Sequence, residues 1–290
     1  MAAPEAEVEV DVALVRSLLA EQHPDLADLP IVETASGWDN VVFRLGNELA
    51  VRLPRRAMGA LLAVNEQRWL PELAPKLPLP VPAPVRLGGP GSGYPWSWSV
   101  VPWFRGEEAA RADPADWDDA AQELGRFLAA LNQPAPSDAP ISPYRGVPLV
   151  HRSARLDEGL DALGDQVDRR QVEALWATLV AAAPPTGPPV WVHGDLHPRN
   201  LVIADGRLAA VVDFGDITKG DRATDLSVAW FWLPASARPA FRRAVGGVDD
   251  DTWRRAKGWA LALAIAHLGG DERVIPLGRA ALDAVLADQA

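Results

Sequence analysis

The sequence predicts an α+β chain of two lobes: a small antiparallel sheet with one or two helices over residues 1–102, and a larger, mainly helical lobe over 103–290. Three observations carry that expectation. The first hundred residues alternate strand-like runs with one long helical segment. Composition after Gly106 shifts to alanine-rich stretches of helical periodicity. Residues 189–213 read as two apolar runs about a polar loop, followed by a hairpin.

Val10 to Gln22 carries Val12, Val15, Leu18 and Leu19 on one stripe, an amphipathic helix that His23-Pro24 ends. Ile31 to Thr34, Asn40 to Leu45 and Glu48 to Leu53 are short, rich in β-formers and separated by Gly37 and by Gly46-Asn47, as in a meander. Ala57 to Leu73 reads as a helix. The prolines of Lys76 to Pro84 forbid one, so an extended connector leads to a strand over Trp96 to Val101, closed by Pro102. Helices are expected at Asp116 to Leu131, Ala154 to Leu163 and Asp168 to Ala182, with proline-rich linkers at Gln133 to Pro148 and Pro184 to Pro189. Pro189 to Val192 and Leu201 to Ala204 are buried strands by composition. Ala204-Asp205-Gly206-Arg207 carries the Asp-Gly hairpin signal, so Leu208 to Val212 returns antiparallel. Helices at Thr224 to Leu233, Ala235 to Val245, Asp250 to Leu268 and Ile275 to Leu286 complete the second lobe.

The polar loop is Trp191-Val192-His193-Gly194-Asp195-Leu196-His197-Pro198-Arg199-Asn200, and Asp213-Phe214-Gly215 follows the hairpin. Phosphoryl transfer needs a carboxylate to orient and deprotonate the acceptor hydroxyl, and hard oxygen ligands for the magnesium that bridges the nucleotide's phosphates. Asp195 supplies the first; Asn200 and Asp213 supply the second. A tight loop holds base and ligand together, and the returning strand delivers Asp213 beside them.

These residues resemble the protein kinase signature, except that Gly194 replaces its arginine and no Ala-Pro-Glu segment follows Asp213. The fuller run His-Gly-Asp-Leu-His-Pro-x-Asn, with Val-Asp-Phe-Gly-Asp and Gly220 to Leu226, is similar to the aminoglycoside phosphotransferase and choline kinase superfamily over roughly residues 30–270. The resemblance implies a bilobal protein-kinase-like fold and a magnesium-dependent kinase that uses ATP or GTP on a small-molecule hydroxyl. An antibiotic acceptor, an aminoglycoside or a macrolide, is the first expectation; a metabolic choline, amino acid or sugar kinase and a nucleotide-binding pseudokinase are the alternatives. His193 is expected to orient the catalytic loop. Asp225 resembles the aspartate that braces that loop, or else caps a helix. His197 touches the transferred phosphate or lies on the surface, and Asp216 and Asp221 meet the acceptor or a second ion.

On the nucleotide side, Arg52 occupies the place of the kinase lysine that pairs with the α and β phosphates, within an Arg-x-Pro-Arg-Arg run similar to that of macrolide phosphotransferases. Arg55 and Arg56 are the alternative clamps. Glu66 is the carboxylate to orient Arg52. No Gly-x-Gly-x-x-Gly or Walker loop is present, so Ser36 to Asn40 is left to approach phosphate through the Ser36 hydroxyl and backbone N–H groups. Val101 and Trp103 are expected at the hinge that meets the base. Trp230, Trp232, Trp253 and Trp259 either stack on an acceptor or fill the core.

Composition narrows the field. A net charge of −11 opposes a phosphate backbone, which argues against a nucleic-acid partner. There is no cysteine, which excludes disulfides and a thiol nucleophile and fits a reducing cytoplasm. Met1 to Glu9 has acids where an export signal has a basic region, and no apolar run reaches membrane-spanning length. A cytoplasmic monomer is expected, with a nucleoside triphosphate and a small-molecule acceptor as its partners and no membrane.

Overall fold

The computed structural model describes residues 5–288, without the side chains of Ala35 and Ser36. Helix α1 (Val12–Gln22) begins where the Asp11 carboxylate accepts the Leu14 N–H at 2.8 Å, a side-chain cap for an otherwise orphaned donor. Strands β1 (Ile31–Ser36), β2 (Asn40–Leu45) and β3 (Leu49–Pro54), helix α2 (Ala57–Leu73), and strands β4 (Arg86–Gly88) and β5 (Trp98–Pro102) follow. The strands form one sheet in the order β1-β2-β3-β5-β4, every neighbour antiparallel. Val15, Leu18 and Leu19 of α1 pack with Phe43, Leu45, Val51, Leu53 and Trp98 into a closed apolar core. Burial of each such side chain is worth about 1.5–3 kcal/mol.

The second core is larger. It contains β6 (Glu107–Glu108), α3 (Trp117–Leu131), α4 (Ser153–Leu163), α5 (Arg169–Val180), β7 (Val190–Val192), β8 (Leu201–Ala204), β9 (Arg207–Val211), β10 (Thr218–Gly220), α6 (Ala223–Leu226), α7 (Val228–Phe231), α8 (Arg238–Val245), α9 (Asp250–Leu268) and α10 (Ile275–Ala287). Helix α9 is apolar around its whole circumference in its second half and is accordingly buried, with α4, α5, α6 and α10 packed about it. Helix α2 joins the two cores, because Trp69, Leu70 and Leu73 belong to the second one and Trp69 meets Trp191 edge to face at 5.0 Å. Among the described residues, no helix is long and apolar enough to cross a membrane.

Two small sheets position the polar loop. β6-β8-β9 carries the hairpin, whose Asp205 (φ 50°) and Gly206 (φ 74°) both take the left-handed conformation that a two-residue turn of this hand requires. β7 pairs with β10. Three short strands, β4, β6 and β10, lie where no strand is expected, each too brief to show a period. The expected helix over Thr224 to Leu233 is broken instead. The Ser227 hydroxyl bonds the Thr224 carbonyl at 2.6 Å, and α6 gives way to α7 at that residue.

Candidate active site

The polar loop leaves β7 at His193, which is fully buried. The Asp225 carboxylate accepts the His193 N–H at 2.7 Å and the Gly194 N–H at 2.9 Å, so Asp225 braces the loop from α6 rather than capping a helix. Burial raises the Asp225 carboxyl, while His193 and the two amides pull it back. The imidazole works in turn as a strut. Its Nδ1 accepts the Asp195 N–H at 3.2 Å, which leaves Nε2 to donate to the Val212 carbonyl at 3.0 Å. Gly194 has φ 89°, and a Cβ there would stand 2.5 Å from the Asp216 carbonyl oxygen. The arginine of the protein kinase loop therefore has no room at this position.

Asp195 presents a carboxylate with 28% of its side chain exposed. Its Oδ1 meets Arg145 Nη2 at 2.7 Å, and its Oδ2 faces His197 Nε2 at 3.4 Å. Since His197 Nδ1 accepts the Arg199 N–H at 3.2 Å, the Nε2 proton points at Asp195. Burial alone would raise the Asp195 carboxyl, but the Arg145 guanidinium and then His197 hold it well below the usual carboxylate range. It therefore stays ionised and accepts hydrogen bonds from both neighbours.

Asn200 donates its amide Nδ2–H to the Asp195 carbonyl at 2.8 Å, which turns its amide oxygen the other way. Asp213 sits at φ 62°, with 55% of its side chain exposed, and its Oδ1 accepts from Arg52 Nη2 at 3.2 Å. Left-handed backbone at an aspartate is tolerated but strained, and strain of this kind collects at working sites. Arg52 completes the chain by donating from Nη1 to Glu66 at 2.9 Å. Burial would lower the guanidinium, but Glu66 and Asp213 outweigh it, so Arg52 remains a cation. Burial is also the largest influence on Glu66 and raises it against the pull of Arg52.

The donor set fits a hard cation shared with phosphate. One exposed carboxylate and one outward amide oxygen are present, and among the described residues no group of three or more His, Cys, Asp or Glu side chains could hold an ion. Magnesium sites with one or two protein ligands and several phosphate oxygens have this character.

The remaining expected residues separate into two groups. Arg55 donates to the Gly37 carbonyl at 3.2 Å and Arg56 to the Asp39 carboxylate at 2.8 Å, so both tie down the loop before β2, while Arg52 contacts Asp213. The Ser36 side chain lies outside the described residues; its backbone ends β1 opposite Val41. Trp103 gives its N–H to the Glu48 carbonyl at 2.8 Å, and Val101 faces Ala50 in the same register, so the backbone groups of both point at β3. By that alternation, the Pro102 carbonyl points away from β3. Asp221 is buried against Arg255 at 2.6 Å and serves the helical core. Trp230, Trp232, Trp253 and Trp259 are buried and pack in the core. Asp216, by contrast, is at the loop: its Oδ2 meets Arg145 Nε at 3.3 Å. Arg145 is the one member of this constellation that no sequence pattern marks, since it sits in the proline-rich linker between α3 and α4.

Comparisons with known proteins bear on the family and on the fold. A model of a family described as phosphotransferase enzymes matches residues 30–259. Aminoglycoside 3'-phosphotransferases of Salmonella typhimurium and Escherichia coli are each 28% identical over 144 residues, 47% of this chain and 52% of theirs, so the chain spans about half the length of the curated relatives it matches. Among solved structures, the GDP complex of aminoglycoside 2'-phosphotransferase-IIIa superimposes with a TM-score of 0.73 at 19% identity, covering 96% of this chain and 99% of that one. The macrolide 2'-phosphotransferase of Brachybacterium faecium gives 0.63 at 22% identity, with 94% and 98% covered. The fold is the bilobal, kinase-like α+β fold of those enzymes.

Proposed function

We propose that this chain, which belongs to the phosphotransferase enzyme family, transfers the γ-phosphoryl group of ATP or GTP to a hydroxyl of a small molecule, in the first place an antibiotic such as an aminoglycoside or a macrolide. The carrying observation is the contact of Arg52 Nη2 with Asp213 Oδ1 at 3.2 Å. It joins a cation of the N-terminal sheet, itself oriented by Glu66, to the carboxylate that follows the catalytic hairpin. A triphosphate lying beside this pair would meet the clamp and the metal ligand at once. The names of the similar enzymes, aminoglycoside and macrolide phosphotransferases, support the acceptor class.

In this mechanism Asp195 Oδ2 takes the proton of the acceptor hydroxyl. The hydroxyl oxygen forms a bond to the γ-phosphorus, the bond to the bridging oxygen breaks, and the nucleoside diphosphate leaves with the electron pair. Magnesium bound through Asn200 and Asp213 would neutralise charge on the phosphates. Arg52 grips the α and β phosphates, and the Pro102 carbonyl is suited to the edge of the base. His193 and Asp225 keep the loop in register with these groups.

A screen of nucleotide consumption by the purified protein, with ATP or GTP and magnesium, tests the reading. Aminoglycosides, macrolides, tuberactinomycin-type peptides, choline and amino acids are the acceptors. Turnover with an aminoglycoside or a macrolide, abolished by chelator, is expected. Turnover with choline or an amino acid alone moves the function to metabolism, and nucleotide binding without any turnover makes the chain a regulatory module.

A further inference from the structure

We infer that Arg145 is a positioning residue for the transfer proposed above, on which this inference rests: its guanidinium fixes the Asp195 carboxylate so that Oδ2 is the oxygen that meets the acceptor hydroxyl. Arg145 bridges two acids, with Nη2 2.7 Å from Asp195 Oδ1 and Nε 3.3 Å from Asp216 Oδ2. The planar fork of arginine presents donors in fixed directions, so two contacts set both the place and the tilt of the group. Asp195 and Asp213 both act as like charges on Asp216, and Arg145 is a cation that joins Asp195 to Asp216.

The arginine is itself held at its backbone. Ser142 N–H donates to Thr218 Oγ1 at 2.9 Å, and the Ser142 hydroxyl accepts the Arg145 N–H at 3.1 Å. On the other side, the Gly146 N–H donates to Thr224 Oγ1 at 3.2 Å and its carbonyl accepts the Asp221 N–H at 2.9 Å. Gly146 has φ 66°, and a Cβ there would stand 3.0 Å from Gly220 Cα, so the linker lies directly on β10. With 20% of its side chain exposed, Arg145 is a rigid part of the floor rather than a surface cation.

Rigidity of this kind acts on geometry. A carboxylate held by one oxygen cannot rotate freely, and the other oxygen, approached by His197 at 3.4 Å, keeps one direction toward the hydroxyl. Misplacing a reacting group by about 1 Å can lower a rate by about 10².

Arg145→Ala and Arg145→Lys in the full chain test this, using an acceptor that the wild type phosphorylates. Separate kcat and KM values are measured, with and without millimolar guanidinium chloride, and melting temperature is followed alongside. Arg145→Ala is expected to lose about 10- to 100-fold in kcat with KM for the nucleotide nearly unchanged. Arg145→Lys recovers part of the loss, and guanidinium ion recovers part of it in Arg145→Ala. Wild-type kcat in Arg145→Ala, or a loss that follows melting temperature and that neither lysine nor guanidinium repairs, overturns the inference. If the wild type phosphorylates none of the acceptors, the functional reading fails, and the crystal structure of Arg145→Ala decides the positioning role alone: Asp195 is expected to leave its orientation, and an unmoved carboxylate overturns the inference.

Discussion

Replacing Asp195 with alanine is expected to lower the single-turnover rate by about 10² to 10⁴, which corresponds to about 3–5 kcal/mol of barrier. Nucleotide affinity should stay nearly constant. The carboxylate faces Arg145 and His197, while the nucleotide's proposed contacts lie with Arg52, Asn200 and Asp213. The exchange leaves the loop intact, because His193 and Asn200 reach position 195 through its backbone atoms and Asp225 holds the backbone N–H groups of His193 and Gly194. Rapid-quench kinetics and nucleotide titration read the two quantities separately. A variant that keeps more than about a tenth of the wild-type rate would show that another group accepts the proton.

Arg52→Ala is the second large effect, expected to remove most of kcat/KM. Arg52 touches both Glu66 and Asp213. Without it, two acids face the phosphates with no cation between them. Arg52→Lys should restore part of the efficiency, because the ammonium keeps the charge and loses the fork. Glu66→Ala should reproduce the defect more mildly by releasing the clamp. Removing one partner of a buried pair also destabilises the fold, by about 3–5 kcal/mol in general, so the kinetics need a matched check that each variant is folded at the assay temperature. Wild-type efficiency in folded Arg52→Ala would mean that the phosphates are held elsewhere.

Much of this architecture was legible because its signals are local. The bounds of Ala57–Leu73 and of Asp250–Leu268 coincide with their apolar periodicity, and the Asp205-Gly206 turn follows from the need for two left-handed residues. Asp195, Asn200 and Asp213 are visible as a spacing, since one loop and one hairpin bring them together. What stayed hidden depends on contacts between distant segments. Arg145 lies 50 residues before Asp195, and the seating of its linker on β10, with Gly146 on Gly220 and Ser142 on Thr218, carries it to that carboxylate. Which backbone groups of β5 are left facing away from β3 depends on strand register, which a strand's composition does not encode: pairing of Val101 with Ala50 turns the Pro102 carbonyl outward. Asp225 was open between brace and cap, because the choice depends on how α6 docks on the loop.

The central claim is that Arg52, Asn200 and Asp213 form one triphosphate site completed by a magnesium ion. Calorimetric titration of the nucleoside triphosphate into the wild type, in magnesium and in chelator, and into Asp213→Asn in magnesium, tests it most directly. Tight binding by the wild type in magnesium alone, and marked weakening in both other titrations, is the predicted result. Equal affinity in chelator and in magnesium, with no loss in Asp213→Asn, would contradict it.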